Sequence, residues 1–302
     1  SAALAAPTPA ELAKLVKTKE TMSLPRIIVQ VPKRKLPIKP KKAVEQWVIG
    51  SDFHAPWHHE KSCELFYRVI EDLQPERVIL LGDIVNLDPF SRYAQIPGTP
   101  TWLDDVASAG QILGNVKQAA PDAQLDWFMG NHEERLKKHL IRNDPILYEY
   151  MDMQKLFMLS DNADAAEAMS AFNYIDRNEV YEEELNLILA HGYRVRKHSG
   201  MSAYSHMEST MTSVVVGHGH RLGIYRKASA RSRYLNEQPL FGVENGCLCR
   251  FDIPYIEGKT SNWQRGFSVL SIDRSGDTPI VEPSIVEIGP DRALFRGNIY
   301  KL

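Results

Sequence analysis

Residues 124–136 read Gln-Leu-Asp-Trp-Phe-Met-Gly-Asn-His-Glu-Glu-Arg-Leu, and this stretch decides the fold. Its first half is an apolar run of strand length, and its second half opens a helical pattern over 133–141. Between them, Gly130-Asn131-His132-Glu133 falls at the C-terminal end of the strand. The same arrangement recurs on both sides. Val48-Ile49-Gly50 ends at Ser51-Asp52-Phe53-His54, and the buried-strand pattern of 77–81 ends at Gly82-Asp83. Leu65, Phe66, Val69, Ile70 and Leu73 give 61–73 a helical spacing, and 101–119 reads as a further helix. Downstream, 185–190 runs into His191-Gly192, and 213–216 into Gly217-His218-Gly219-His220. The last sixty residues, rich in Val, Ile, Phe and turn signals, read as β-structure. Strands alternating with helices, with polar residues at each strand end, define an α/β protein with a site at those ends.

Composition narrows the class. The 302 residues are 43% apolar and 25% charged, ordinary for a globular protein with a buried core. Val78-Ile79-Leu80-Leu81 and Val214-Val215-Val216 are among the longest apolar stretches, far short of the roughly 18 residues of a membrane span, so no membrane partner is expected. Lys plus Arg number 36 against 38 Asp plus Glu, a balance that does not point to a dedicated DNA-coating protein but leaves room for a local basic patch. Cys63, Cys247 and Cys249 cannot make an even disulfide framework, and the first residues lack the basic-then-apolar order of a secretory signal. The expectation is a reduced, cytoplasmic protein. Residues 1–44 stand apart as a basic, Pro-containing extension: Lys33, Arg34, Lys35, Lys39, Lys41 and Lys42 are spaced by Pro32, Pro37 and Pro40. Such a run is extended, and it is either a solvated leader or an arm for an acidic partner or nucleic acid. Residues 45–302 form the main domain.

Asp, His and Asn at five strand ends offer the oxygen and nitrogen donors that suit manganese, iron, zinc, nickel or cobalt. The i, i+2 pairs Asp52/His54 and His218/His220 turn two side chains to one side of extended chain, and neighbouring glycines permit sharp turns and close phosphate approach. Asp-x-His, Gly-Asp, Gly-Asn-His-Glu, His-Gly and Gly-His-x-His, in this order over about residues 47–225, resemble the calcineurin-like metallophosphoesterase superfamily. The resemblance implies a four-layer α-β-β-α sandwich of two mixed β-sheets, with a dinuclear metal site at the strand ends. It implies Asp52, His54 and His220 on one cation, Asn131, His191 and His218 on the other, and Asp83 bridging them. His132 then contacts the phosphate or protonates the leaving oxygen as an imidazolium. Two divalent metal ions, manganese first among them, are the implied cofactors, and the implied reaction is attack of a metal-bound hydroxide on a phosphate ester. Glu133 is expected to orient a ligand or cap the following helix.

The sequence departs from two branches of that superfamily. The Gly-Asp-x-x-Asp-Arg-Gly of protein phosphatases is here Gly82-Asp83-Ile84-Val85-Asn86-Leu87-Asp88, without the arginine, and the tyrosine ligand of purple acid phosphatases is absent. Gly130–Leu136, 245–249 and 262–267 are closer to small bacterial and phage-type phosphoesterases. Basic residues follow the ligands at Arg135, Lys137 and Lys138, at Arg194, Arg196 and Lys197, and at Arg221, Arg226, Lys227, Arg231 and Arg233. They either line the site for a polyanion or form solvated faces. Arg221, next to a ligand, is the candidate for bidentate phosphate binding. The expected activity is a phosphodiesterase or nuclease on DNA, other nucleic acid or nucleotides. A phosphomonoesterase is the alternative, and a non-catalytic nucleic-acid-binding scaffold is a third reading. His58, His59, His198 and His206 are read as rim residues. Cys247 and Cys249 are read as buried thiols, with a third metal site or redox pair as the other option. Trp102, Trp263 and Tyr93 are read as core or as base-stacking platforms. Oligomeric state is not encoded in any motif.

Overall fold

A computed structural model describes residues 44–93, 97–228, 238–253 and 262–302. All of the N-terminal extension except Val44, and the loop residues Arg231 and Arg233, lie outside the described residues.

The strand patterns fold into two mixed sheets. In the first, β1 (Val44–Gly50), β2 (Arg77–Leu80), β3 (Gln124–Phe128) and β4 (Asn173–Ile175) run parallel, and β10 (Gly266–Asp273) and β11 (Ile280–Glu287) add antiparallel edge strands in the order β11-β10-β1-β2-β3-β4. The second has the order β5-β6-β7-β9-β8. There β6 (Leu187–Ala190), β7 (Ser213–Val216) and β9 (Leu240–Asn245) are parallel, flanked by antiparallel β5 (Glu179–Glu182) and β8 (Leu222–Lys227). β12 (Arg292–Phe295) and β13 (Asn298–Lys301) form a separate hairpin.

Period-two alternation sorts β1 between layers. Trp47 and Ile49 join Ile79, Leu81, Leu189, Val215 and Val243 in the core between the sheets. Val48 faces the other way, with Val78, Leu80 and Trp127, against the helices α1 (Glu60–Leu73), α2 (Trp102–Ala119), α3 (Glu133–Asn143), α5 (Met153–Leu159) and α6 (Ala163–Ser170); α4 (Pro145–Tyr148) lies between two of these in sequence. On the outer face of the second sheet, Ala190, Val214 and Val216 pack on Ala203 and Met207 of α7 (Met201–Thr210). The result is the expected α-β-β-α sandwich. A capping box at Thr101 and Asp104 starts α2, a motif worth about 1 kcal/mol. Gly110 in α2 lets the helix meet α6 closely, since a Cβ there would fall 2.4 Å from that of Ala165.

Every parallel strand that carried a motif delivers it at its C-terminal end, where ligands bind in open α/β sheets. The pairing continues past the strands: Asp52 N–H donates to Gly82 O (3.1 Å) and His54 N–H to Asp83 O (2.8 Å), which sets the first two motifs side by side.

Candidate metal centre

Five of the seven expected ligands, Asp52, His54, Asp83, His218 and His220, have φ between 51° and 62°, in the left-handed region. Asp and His tolerate this region better than most non-glycine residues, yet each still costs on the order of 1 kcal/mol or more. The cost is borne where the side chains must turn out of a strand toward one point. Gly82, at φ 85°, makes the remaining turn possible: a Cβ there would lie 2.6 Å from Gly130 Cα, so the two loops pack backbone to backbone.

The donors converge in two sets. Asp52 Oδ1 lies 3.1 Å from His220 Nε2 and 3.9 Å from His54 Nε2, and the two imidazole nitrogens are 3.1 Å apart. On the other side, His191 Nε2 is 3.0 Å from Asn131 Oδ1 and 3.3 Å from Asp83 Oδ2. Ligands about 2.0–2.2 Å from one cation stand about 3.0–3.5 Å from each other, so all of these separations except the wider Asp52–His54 one are those of a coordination shell. His218 completes the second set, its ring 5.2 Å from that of His191 and one of its ring nitrogens within 4.8 Å of the Asp83 and His191 donors. Asp83 Oδ2 is also 3.8 Å from His54 Nε2, so this carboxylate reaches both sets. The donor chemistry fits divalent cations. Asp52 Oδ1 is buried with the His220 ring nitrogen beside it, and His54 Nδ1 is buried without a hydrogen-bond partner.

Supporting contacts fix the ligands. His191 Nδ1–H donates to Leu81 O (2.7 Å), which leaves Nε2 to face Asp83. His218 N–H donates to Asp52 Oδ2 (3.0 Å). Glu133 accepts four backbone N–H groups: Asp83 and Gly130 on Oε2, Ile84 and Val85 on Oε1. It therefore holds the Asp83 turn and the Gly130 turn together and is a positioning residue. Burial and the adjacent Asp83 charge push its carboxyl up to about 7, against the pull of its backbone donors.

The electrostatics of the metal-free site are those of protons standing where cations would be. Burial lowers the proton affinity of His191 and His220, but the Asp83 and Asp52 charges outweigh it, raising them to about 9 and about 10. Burial pushes Asp52 up, while His220 and His191 bring it down to about 2. Burial drives His54 well below its ordinary range.

His132 stands beside the centre, its Nε2 3.8 Å from Asp83 Oδ2. Its Nδ1–H donates to Asn86 O (2.8 Å), so Nε2 carries the lone pair and accepts from Arg135 Nη2 (3.1 Å). Burial brings His132 down to about 4; Asp83 opposes this and Arg135 adds to it. In the metal-free chain these surroundings favour the neutral imidazole over a standing imidazolium. Arg135 also grips Asn86 O and Asp88 Oδ1. In the sequence Arg135 stands within a basic run with Lys137 and Lys138. Its i, i+3 relation to His132 at a helix start was the available signal.

Other expectations resolve individually. Arg221 turns Nη1 onto Gly219 O (3.2 Å), and its Nε is buried without a hydrogen-bond partner. The basic runs are largely neutralised: Lys137 by Asp176, Lys138 by Glu134, Arg226 by Glu282 and Lys227 by Glu208. They behave mostly as solvated faces. His59 caps α1 through Ser62 N–H, His58 faces Ser108 Oγ, and His206 faces Glu179. Trp263 covers the His220 ring at 4.0 Å, Trp102 packs on the helix-side core, and Tyr93 is exposed.

No family model matches the chain. It is 28% identical over 265 residues to the Gene 54 protein of Mycobacterium phage D29, covering 84% of this chain and 98% of that protein. The Gene 54 protein of Mycobacterium phage L5 gives 28% over 266 residues, with the same coverage. Among solved structures it is similar to an archaeal phosphodiesterase, at 14% identity over 79% of this chain and 99% of that one, with a TM-score of 0.38. It is also similar to zinc-complexed Vps29 of Entamoeba histolytica (13%, 84% and 95%, TM-score 0.40) and to the phosphoesterase YfcE of E. coli (12%, 78% and 98%, TM-score 0.33). The four layers and the donors gathered at the strand ends are the architecture that the motifs led us to expect.

Proposed function

We propose that the chain is a dinuclear metal-dependent phosphoesterase, with Asp52, His54 and His220 on one cation, Asn131, His191 and His218 on the other, and Asp83 shared. The observation that carries this reading is the reach of Asp83: one carboxylate oxygen lies 3.3 Å from His191 Nε2 and 3.8 Å from His54 Nε2. Two divalent cations, manganese by preference, would supply charge stabilisation at phosphorus and acidify water to near neutral pH. The chain's own residues bind, orient and move protons. Glu133 fixes Asp83. His132 Nε2, which accepts from Arg135 Nη2 beside the centre, would face the phosphate; an anionic phosphate there would raise its proton affinity, so it could take and return a proton. Arg135 and Arg221 are the guanidinium groups nearest in sequence to His132 and to the ligands, and we assign them to phosphate contacts.

Within this reading we favour phosphodiester substrates in nucleic acid or nucleotides, because Asn86-Leu87 stands where protein phosphatases carry Asp-Arg. A phosphomonoesterase is the alternative. Residues 45–302 would form the catalytic domain and the basic 1–44 a tether to DNA. All three cysteines are unpaired, which favours work in the cytoplasm. The test is hydrolysis of a chromogenic diester and the matching monoester with manganese, beside Asp83→Asn and His132→Ala. Diester turnover lost in both variants supports the reading. Monoester preference moves it to a phosphatase, and no turnover with any divalent metal overturns it.

A further inference from the structure

Behind the first ligand set lies a group of donors of different chemistry. β9 leads through Asn245-Gly246 into Cys247 and Cys249, whose i, i+2 spacing turns both thiols to one side of extended chain. The segment is pinned on two sides: Cys247 N–H donates to Gln264 O (3.1 Å), and Leu248 N–H to Asp52 O (3.1 Å). Both thiols are fully buried and unpaired. The His220 ring stands between the two groups. Its Nε2 faces Asp52 Oδ1, and its opposite nitrogen, Nδ1, lies 3.8 Å from Cys249 Sγ. The two sulfurs and a His220 ring nitrogen lie within 4.8 Å of one another. Trp263 roofs the imidazole at 4.0 Å, and Trp57 and Ile253 close an apolar shell around the cysteines.

We propose that Cys247, Cys249 and His220 Nδ1 form a further cation site, which takes a soft d10 cation such as Cu(I) or Cd(II). A cation about 2.3 Å from sulfur and about 2.0 Å from nitrogen holds those atoms about 3.5–3.7 Å apart, close to the separation found. Two sulfurs and one imidazole, with no carboxylate among them, select soft cations over the hard ones suited to Asp, Asn and His. Three donors within an apolar shell match the low coordination numbers that Cu(I) accepts. Binding releases the thiol protons and the proton on His220 Nδ1. The two kinds of site meet at one imidazole, so filling the thiol site fixes the ring that also serves Asp52 and His54. This inference shares His220 with the proposed function but does not depend on phosphoester chemistry.

The test uses the full chain, metal-free, reduced and under argon, titrated with Cd(II). Near-ultraviolet thiolate-to-cadmium absorption and cadmium-113 NMR are read together. The expected result is a charge-transfer band and a sulfur-shifted resonance, both kept in Cys63→Ser and lost in Cys247→Ser/Cys249→Ser. Saturation of the wild-type chain with only oxygen- and nitrogen-type resonances would overturn the site, and this reading needs no variant to fold. A band that survives the double substitution and vanishes in Cys63→Ser would overturn it equally. A sulfur-shifted resonance without oxygen- and nitrogen-type ones would support the thiol site while counting against the dinuclear centre.

Discussion

Replacing Glu133 with glutamine tests whether one carboxylate organises the centre. In the intact protein its Oε2 accepts from Asp83 and Gly130 N–H at 2.8 Å each, and its Oε1 from Ile84 at 2.8 Å and Val85 at 3.3 Å. An amide has one acceptor oxygen, so the substituted side chain can satisfy one pair of donors and must point its NH2 at the other. Two buried N–H groups lose their partner, at about 1–3 kcal/mol each. The substitution also removes a buried charge that repels Asp83, which offsets part of the loss. The expected net destabilisation is about 2–4 kcal/mol, a large share of the about 5–15 kcal/mol that holds a typical domain. For a domain of this size that corresponds to a fall in Tm of roughly 5–15 °C. Thermal unfolding of metal-free Glu133→Gln in chelator measures it, and a manganese titration by calorimetry follows the second effect, weaker binding through a displaced Asp83. A Tm within a degree or two of the parent, with unchanged manganese affinity, would refute the reasoning.

Two other predictions follow from single positions. A Cβ at Gly130 would lie 2.3 Å from Asp83 Oδ1 and 2.5 Å from Asp83 N, so Gly130→Ala should cost about 3 kcal/mol or more and lower the metal retained after dialysis, read by elemental analysis; full retention with an unchanged Tm would contradict it. Buried Asp105 accepts Leu87 N–H at 2.7 Å, and burial pushes its carboxyl up from 3.8 to about 8. The folded chain therefore holds a proton that the unfolded chain releases, and stability falls as pH rises from about 4 to about 8. Asp105→Asn should remove that slope, with a Tm advantage over the parent that is small near pH 4 and reaches several degrees at pH 8; a pH-independent difference would exclude this account.

The sequence made the centre legible because its donors are local: each motif is a few residues long and directly follows a strand. It hid what depends on long-range pairing. Lys137 meets Asp176 and Arg226 meets Glu282, 39 and 56 residues away, and these pairings favour the solvated-face reading of the basic runs over the rim reading. The lowered proton affinity of His132 comes from burial and from Arg135, neither of which a motif encodes. The short helices over 145–170 escaped because exposed Ile146, Tyr150 and Met158 blur the apolar periodicity.

The left-handed torsions of Asp52, His54, Asp83, His218 and His220 bear on any attempt to transplant this centre. Seven side chains copied onto the strand ends of another scaffold would keep the donor chemistry and lose the aim, because a chain leaving a strand with ordinary torsions sends those side chains elsewhere. The portable unit is the set of bent loops, braced by Glu133 and by the Gly82–Gly130 contact. An engineer would have to graft backbone first and ligands second.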